Sequence, residues 1–288
     1  MISYVVPYYN GSRYIEETLM SILTQDNAEL EVIVIDDCSV PLEYERLVGI
    51  ISEINDTRLK LLSNATNIGL MKTLNRGITS AIYGFVSILG QDDMVPSTHA
   101  RIMTKYLRDN KSMAICFCDA YLVFDRTTTN IELRGHRLPK GIYASTGKVF
   151  RKLWRRNFIV STGLCFRKSF FLEQGCFDST FKNYGEWLTW LKISSKYQVG
   201  YQANLHTYYR KHDSNITNYM FGNKYLETYR YNIYVVNRGY QLSEKKFIDH
   251  VIFLTLSIRE LFILFYKKIV PVRRSEIINK IKAKRLNR

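Results

Sequence analysis

The sequence predicts an α/β protein built on a mostly parallel sheet. Short runs rich in Val, Ile, Leu, Tyr and Phe occur four times near the start of the chain, and stretches with helical periodicity separate them. Strands and helices that alternate at this spacing indicate parallel strands joined by right-handed crossovers. Because 46% of the 288 residues are hydrophobic, the chain has enough apolar material for one large domain or two small ones.

Each of the four apolar runs ends near Pro, Asp, Asn or Gly, and each is typical of a buried strand. They cover residues 2–6, 31–36, 58–62 and 83–89. The first helix is predicted within SRYIEETLMSILTQ, where Ser12 would cap the helix and Glu16 and Glu17 would form an acidic first turn. Its buried face would consist of Tyr14, Ile15, Thr18, Leu19 and Ile22.

The pattern changes after about residue 112. MAICFCDAYLVFD predicts a pair of strand-like runs, followed by a polar loop that continues to about residue 140. GKVFRKLWRRN predicts a basic helical segment, and the chain is helical and basic again from about residue 223. The expected division is a domain over residues 1–222, made of halves 1–111 and 112–222, and a helical C-terminal region over residues 223–288.

The positive charge of the chain is concentrated in its C-terminal region. The sequence holds 41 Lys and Arg against 26 Asp and Glu, a formal net charge of +15, and residues 223–288 hold fifteen basic and five acidic residues, which is +10 of that excess. This asymmetry points to an anionic partner for the C-terminal region. A nucleic-acid-binding protein is one alternative, but the sequence holds no recognition motif, so we expect no nucleic-acid partner.

The start of the chain and its cysteines favour a cytoplasmic protein. MISYVVPYYN is strand-like from the second residue and lacks the basic segment, apolar run and cleavage site of an export signal. The five cysteines are odd in number and have no repeated metal-ligand spacing, which disfavours a disulfide framework and a zinc ribbon. We expect reduced, mostly buried thiols.

An apolar stretch lies near the C-terminus. VIFLTLSIRELFILFY has Arg259 and Glu260 at its centre and is shorter than the run of about 20 apolar residues that a membrane-spanning helix needs. A basic flank follows it, which suits peripheral attachment to the anionic inner face of a membrane. The alternative is that this helix packs on the domain or on another subunit.

Polar loops follow the four predicted strands. They read VVPYYN, VIDDCS, SNATNIGLMKTLNRG and LGQDD. Ligands of parallel sheets bind beyond the carboxyl ends of the strands, so these loops predict a ligand site. In the last loop Asp92 and Asp93 are adjacent, and because neighbouring carboxylates repel each other, a positive partner such as a metal ion is expected. A capped turn after the strand is the alternative.

These loops and two later segments resemble the family 2 glycosyltransferases of the GT-A fold. The resemblance rests on SYVVPYYNGSRYIEETLMSILTQ, EVIVIDDCS, NIGLMKTLNRGI, LGQDDMVP, GEWLTWLKIS and YRKHDSNIT, in this order over residues 2–217. It implies a sheet whose first half binds a nucleotide sugar and whose second half binds the acceptor. It also implies transfer of a sugar from a nucleoside-diphosphate donor with inversion at the anomeric carbon, and Mg²⁺ or Mn²⁺ as the cofactor.

By this resemblance the paired aspartates hold the metal. The family motif often has Asp, any residue, Asp and a further Asp; Gly90 occupies the first position here, so Asp92 and Asp93 remain. A divalent cation bound to carboxylate oxygens would stabilise the negative charge that builds on the departing phosphate. Of the two, we expect Asp93 to contact the metal and Asp92 to lie nearer the ribose or the sugar.

The nucleotide contacts that the resemblance implies lie in the first two loops. Pro7 and Tyr9 would lie against the base, with core packing as the alternative for Tyr9. Asp37 would accept a hydrogen bond from a pyrimidine ring N–H. Asp36 would contact the nucleotide or anchor its loop, and for both aspartates a turn-forming role is the alternative.

In the third loop, Thr73, Leu74 and Asn75 stand where many relatives have Ala-Arg-Asn, so the arginine is missing. Lys72 is the expected substitute as a point charge on the diphosphate, unless it is only a solvated helix residue. Asn67 and Gly69 would shape the turn.

The resemblance also assigns the acceptor side. Glu186 would be the general base, with Gly185 where the family has Glu; an acidic first turn of a helix is the alternative for Glu186. Trp187, like Trp190, would stack on a sugar unless it belongs to the core. Arg210 and His212 are two residues apart on a predicted strand, so both would point to one side, near the diphosphate.

Together, these residues predict one activity. The expected enzyme moves a sugar from a nucleotide-sugar donor, a UDP-sugar above all, to a glycan acceptor that is lipid-linked, as in bacterial surface polysaccharide biosynthesis. The alternative is a degenerate transferase that binds nucleotide sugar without turning it over, because Gly90, Leu74 and Gly185 depart from the family pattern.

Overall fold

The computed structural model describes residues 1–26, 29–124, 127–134, 146–181, 185–212, 215 and 225–269. The chain divides into two compact units, Met1–Tyr219 and Met220–Arg288. The first unit is an α/β domain on a single mostly parallel sheet, which confirms the predicted fold class.

Four parallel strands form the first half of the sheet, and they confirm the four predicted strands. They are β1 (Ile2–Tyr8), β2 (Leu30–Asp36), β3 (Leu59–Ser63) and β4 (Phe85–Ile88). Strand β1 pairs with both β2 and β4, so the order is β3-β2-β1-β4. Every residue of β2 is buried, as expected for a strand that is covered on both faces.

Four helices connect or follow these strands: α1 (Ile15–Leu23), α2 (Pro41–Ile54), α3 (Leu70–Ser80) and α4 (His99–Asp109). The predicted buried face of α1 and its acidic first turn are confirmed. The predicted Ser12 cap is wrong, because α1 starts only at Ile15 without a side-chain cap. The Ser12 backbone N–H donates instead to Glu43 Oε2 at 3.0 Å, which holds this turn against α2.

The second half of the sheet contains β5 (Met113–Phe124), β6 (Thr127–Arg134), β7 (Cys165–Arg167) and β8 (Gln198–Lys211). Antiparallel β7 joins β4 to β5, while β8 runs parallel to β5 along its length. The helices here are α5 (Thr146–Arg155), which confirms the predicted basic helix, α6 (Lys168–Glu173) and α7 (Glu186–Lys196).

The prediction of two strand-like runs at residues 113–125 is wrong, because one continuous strand occupies Met113–Phe124. Its pairing with β8 shifts in register between Cys118 and Asp119, so a bulge makes the apolar pattern look interrupted. The expected loop after it is also wrong in part, because β6 pairs antiparallel with β5. The rest of that predicted loop, residues 135–140, lies outside the described residues.

Helix α3 packs very closely on the sheet. A Cβ atom added at Gly77 would lie 2.5 Å from side-chain atoms of both Ile35 and Val5, so only glycine fits at this contact. The close approach holds α3 against β1 and β2, two of the strands that the predicted site loops follow.

A buried histidine connects α4 to the sheet. His99 is fully buried, with Nδ1 2.7 Å from the Tyr4 hydroxyl and Nε2 2.7 Å from the Gly163 carbonyl oxygen. Because the carbonyl can only accept, Nε2 carries the proton and Nδ1 accepts from Tyr4. Burial lowers the pKa of His99 to about 4, so the ring is neutral at physiological pH.

All five cysteines are free, and Cys116, Cys118 and Cys165 are buried. Burial raises the pKa of the Cys118 thiol to about 12, so this thiol stays protonated and unreactive.

The second unit contains α8 (Tyr225–Leu242) and α9 (Phe247–Ile269), which confirms the helical C-terminal prediction for the described residues. Tyr231, Val235 and Val236 of α8 are buried, as are Ile252 and Leu256 of α9. Within the described part of the chain, no helix has the length and apolar character that crossing a bilayer requires.

Candidate active site

The loops after β1 and β4 are joined by the side chain of Gln91. Its Oε1 accepts the Tyr9 N–H at 2.8 Å, and its Nε2 donates to the Tyr9 carbonyl oxygen at 3.2 Å. The Thr18 hydroxyl of α1 donates to the Gln91 carbonyl oxygen at 3.0 Å. Two of the predicted polar loops are therefore fixed together at the carboxyl edge of the sheet.

Strand β8 brings the last predicted segment to the same edge. Met94 and Tyr208 form an antiparallel bridge, with N–H to carbonyl distances of 3.0 and 2.9 Å. Residues 210–212 therefore lie directly beside Asp92 and Asp93, although more than a hundred residues separate the two segments in sequence.

Asp92 is the more accessible of the two adjacent aspartates. Its Oδ2 lies 2.7 Å from His212 Nε2 and accepts the side-chain N–H of Asn215 at 3.1 Å. The Asp92 and His212 side chains are 18% and 14% exposed. The Tyr14 ring packs beside the His212 ring with the centroids 5.0 Å apart.

Asp93 is turned into the protein. It is 4% exposed, its Oδ2 accepts the Thr162 hydroxyl at 2.8 Å, and its Oδ1 accepts the Arg210 backbone N–H at 3.0 Å. We expected Asp93 to contact the metal and Asp92 to lie beside the sugar. The Asp93 oxygens hold neighbouring segments together whereas Asp92 faces the accessible edge, so this environment favours Asp92 as the ligand. Which of the two contacts a metal stays a prediction.

The missing first aspartate of the family motif has a local explanation. A Cβ atom at Gly90 would lie 2.9 Å from Asp92 Oδ1 and 3.0 Å from Asp93 Oδ2. Any side chain at Gly90 would therefore press on the two carboxylates and require them to move.

The residues present fit a metal site with few protein ligands. Asp92 and His212 offer a carboxylate and an imidazole side by side, and both groups bind divalent transition metals. Among the residues that the structure describes, no group of three or more His, Cys, Asp or Glu converges as a complete metal site. A cation at this pair would therefore take its remaining ligands from the substrate and water.

Arg210 is buried, and its side chain is bonded to other residues of the protein. It is 1% exposed; its Nε donates to the Asp92 carbonyl oxygen at 3.0 Å, and its Nη2 lies 2.5 Å from Glu17 Oε2. Its guanidinium carbon stacks 4.6 Å from the centre of the Tyr14 ring. These contacts favour a positioning role for Arg210, and its contact with the diphosphate stays a prediction.

Asp37 organises the third loop. Its Oδ1 accepts the Ile68 backbone N–H and the Asn64 side-chain N–H at 2.8 and 2.9 Å, while its Oδ2 accepts the Gly69 N–H at 2.8 Å. Asp36 accepts the Ser39 N–H at 3.1 and 3.3 Å through its two oxygens, which matches the anchoring alternative. Both aspartates are buried, and their contacts hold the loops after β2 and β3 together.

The other residues that were predicted to bind the nucleotide lie at the end of β1, in the loops after β1 and β3, and at the start of α3. Gly69 has φ +88° and precedes α3, a conformation that favours glycine and supports its turn-shaping role. Lys72 is exposed on the first turn of α3, and Asn67 is exposed in the loop before it. Pro7 is half-buried within β1, and Tyr9 is 48% exposed at its end, so the Tyr9 ring is not part of the core.

Glu186 begins α7, and its Oε2 accepts the Ser161 hydroxyl at 2.8 Å. Ser161 is followed directly by Thr162, which binds Asp93, so two consecutive hydroxyls link Glu186 to the acidic pair. Gly185 allows no side chain, because a Cβ atom there would lie 2.5 Å from both the Asp178 carbonyl oxygen and Met71 Sδ. The start of α7 is thus pressed against the start of α3.

The two tryptophans of α7 differ. Trp190 is fully buried, so the core alternative is correct for it. Trp187 is half-buried, and its indole N–H donates to the Leu153 carbonyl oxygen of α5 at 2.7 Å. This contact supports a packing role for Trp187 and leaves sugar stacking as a proposal.

Several site residues were missed by the sequence analysis. Gln91 and Asn215 lie inside the quoted motifs, so their polar character could have drawn attention to them. Glu17 also lies inside a quoted motif, but it was interpreted only as part of the acidic first turn of α1. Ser161 and Thr162 gave no such signal, because only the tertiary structure brings them to the carboxylates.

Comparison with known proteins identifies the family of the chain. Residues 3–174 match the model of the family described as glycosyl transferase family 2. The chain is 36% identical over 111 residues to an uncharacterized glycosyltransferase of Haemophilus influenzae, covering 38% of this chain and 33% of that protein. It is 29% identical over 99 residues to the putative teichuronic acid biosynthesis glycosyltransferase TuaG of Bacillus subtilis, covering 32% and 36%. The chain thus spans about a third of the length of these two relatives.

Two solved structures share the fold. Staphylococcus aureus TarS residues 1–349 in complex with UDP-GlcNAc superpose with a TM-score of 0.64 at 19% identity, covering 84% of this chain and 70% of that one. The mannosyltransferase PcManGT of Pyrobaculum calidifontis in complex with GDP-Man and Mn²⁺ gives 0.63 at 16% identity, covering 99% and 80%. Taken with the family match over more than half of its length, these observations lead to one conclusion: the chain belongs to glycosyl transferase family 2.

Proposed function

We propose that this protein is an inverting glycosyltransferase that moves a sugar from a nucleotide-diphosphate donor, a UDP-sugar above all, to a hydroxyl of a glycan acceptor. The observation that carries the proposal is the convergence of the Asp92–His212 pair and Glu186 at the carboxyl edge of the sheet, linked through Ser161 and Thr162. The Asp92–His212 pair can hold the cation of a donor diphosphate, and Glu186 can take a proton from an acceptor.

On the donor side, Tyr9 offers an exposed aromatic ring to the base, beside Pro7. Asp37 and Asp36 act mainly by holding the loops in place, since most of their hydrogen-bonding capacity is used within the protein. Lys72 supplies a point charge for the diphosphate from the first turn of α3, next to the Gly69 and Asn67 turn. TarS has been crystallised with UDP-GlcNAc, which supports a UDP-sugar as the first donor to test.

For the metal, we propose that Asp92 and His212 hold Mn²⁺ or Mg²⁺. Asp93 fixes the loop after β4 through its hydrogen bonds with Thr162 and the Arg210 backbone. The bound cation supplies stabilisation of the negative charge on the departing diphosphate. Arg210 and Asn215 keep Asp92 and His212 in position through the contacts already described. The PcManGT complex contains Mn²⁺, which makes manganese the first ion to test.

For the acceptor, Glu186 accepts the proton of the attacking hydroxyl while that oxygen forms the bond to the anomeric carbon on the face opposite the leaving diphosphate. The Ser161 hydroxyl fixes the orientation of the carboxylate by donating to Oε2. Inversion follows from a single displacement of this kind.

We propose a lipid-linked glycan as the acceptor and the cytoplasmic face of a bacterial membrane as the place of reaction. Relatives of this chain are named for succinoglycan, teichuronic acid and colanic acid biosynthesis, which supports surface polysaccharides as the product class.

A panel of nucleotide sugars tests the proposal. The protein with Mn²⁺ is first screened for thermal stabilisation, since a bound ligand raises apparent stability by mass action. Slow hydrolysis of each stabilising donor is then measured in wild type and in Glu186→Gln. Stabilisation and hydrolysis that both require the ion support the proposal. Stabilisation without any turnover would instead support a nucleotide-sugar-binding protein, the alternative that Gly90, Leu74 and Gly185 favour.

A further inference from the structure

Helix α9 presents an apolar face to solvent. Its side chains here are between 42% and 83% exposed, and they are Phe247, Val251, Leu254, Ile258, Leu261 and Phe262. Successive residues of an α-helix are turned by about 100°, so these six positions fall within one arc of about 100°. No charged residue of the described helix lies within this arc. We call these six residues the apolar face of α9.

The opposite side of α9 is already used within the second unit. Asp249, Ile252, Leu256 and Glu260 are buried there. Glu260 Oε2 accepts the Asn232 side-chain N–H at 3.3 Å, and the Tyr240 hydroxyl lies 2.9 Å from His250 Nδ1. Helix α9 therefore has a packed side against α8 and an exposed apolar side, and exposed apolar side chains that lie together on one face mark an interaction site.

The charge of the last three residues of α9 and of the sequence after it indicates the partner. Residues 267–288 contain nine Lys and Arg and one Glu, a net charge of +8. A second copy of the chain lying parallel on the apolar face would bring two such segments together, and their repulsion opposes the contact. An anionic lipid surface offers an apolar layer for the helix face and negative charge for the basic segment at the same time.

We propose that α9 lies in the plane of an anionic membrane surface, with its apolar face inserted among the acyl chains and the basic segment against the lipid headgroups. The six side chains extend over roughly 22 Å of helix, since each residue rises by 1.5 Å. The apolar face of α9 and the basic segment act together, because either one alone would bind a membrane only weakly. None of the six side chains is an active-site residue, so the proposal can be tested without any transfer substrate.

The test is flotation of the full-length chain with vesicles of phosphatidylcholine, with and without phosphatidylglycerol, at low and high salt. We expect binding to the anionic vesicles only, weakened by salt. The double variant Leu254→Glu with Ile258→Glu should lower the partition coefficient by about tenfold or more, since two apolar side chains become charged. Both side chains are exposed, so the far-UV spectrum and the thermal midpoint should not change.

Leu42→Glu is the matched control, because Leu42 of α2 is as exposed as Ile258, at 57%, and the variant adds its negative charge to the first unit instead of to α9. The control should bind vesicles like wild type. Binding by the double variant equal to wild type would show that the basic segment acts alone and would overturn the insertion of α9. A wild type that ignores vesicles but changes from dimer to monomer in the double variant would assign the face to a second copy instead. Neither outcome bears on sugar transfer, which is measured separately.

Discussion

His212 Nε2 lies 2.7 Å from Asp92 Oδ2, at the exposed edge of a pair of aspartates whose second member is buried. Adjacent residues in the sequence therefore have different environments, and we expect their substitution to have different effects.

Asp92→Asn should leave the thermal midpoint nearly unchanged while weakening Mn²⁺-dependent binding of UDP. Its carboxylate is one of the two proposed ligands, and an amide is a much poorer ligand for a divalent cation. Isothermal calorimetry with UDP, with and without Mn²⁺, measures the effect. Equal ion dependence in wild type and Asp92→Asn would contradict the assignment.

Asp93→Ala should instead destabilise the protein. It leaves the Thr162 hydroxyl and the Arg210 N–H without their acceptor in the interior, at a cost of roughly 1–3 kcal/mol per unpaired group. Urea unfolding measures this loss. If Asp93→Ala unfolds like wild type yet loses Mn²⁺ binding, the original order of the two aspartates is correct after all.

Glu186→Gln should lower the turnover number by about 10²- to 10⁴-fold, the usual contribution of a general base, while donor affinity stays the same. Ser161→Ala removes only the orienting hydrogen bond and should have a smaller effect. Steady-state transfer kinetics, with donor binding measured in parallel, separate the two. Wild-type turnover in Glu186→Gln would exclude this carboxylate as the base.

Gly185→Ala should both lower stability and impair the active site. The new methyl group would lie 2.5 Å from the Asp178 carbonyl oxygen, so the start of α7, and with it Glu186, must move. Overpacking of this kind costs roughly 1–3 kcal/mol. Gly49→Ala is the control, because a Cβ at Gly49 meets nothing within 4 Å. Equal thermal midpoints for the two variants would argue against the close contact.

The free energy of unfolding should fall as pH is lowered from about 6.5 to about 4. The pKa of His99 is depressed to about 4 in the folded state, so only the unfolded chain binds this proton in that range. A pKa difference from 6.5 to 4 corresponds to roughly 3 kcal/mol when fully expressed. Urea unfolding between pH 7 and pH 4 measures the change.

Other groups titrate in the same range, so the comparison is with His99→Gln, which has no titratable side chain. In this variant the free energy of unfolding should depend less on pH, by the part that His99 contributes in wild type. Identical slopes in wild type and His99→Gln would show that His99 titrates alike in both states.

Local patterns were enough to predict the first half of the sheet. Strands β1 to β4 and the buried face of α1 depend on runs and periods of apolar residues, which any short stretch displays. The irregular parts were not predictable in this way. Strand β5 contains a bulge opposite β8, and the pattern of one strand cannot reveal a register shift that its neighbour causes.

By itself, the sequence determined the α/β class, the carboxyl-edge loops and the residue types that they carry, because these follow from nearest neighbours along the chain. Only the tertiary structure decided which of those groups face a ligand. Asp92 meets His212, whereas Asp93 meets Thr162 and the Arg210 backbone. Such contacts join segments 69 to 120 residues apart, and the burial that separates two neighbouring carboxylates comes from those distant segments.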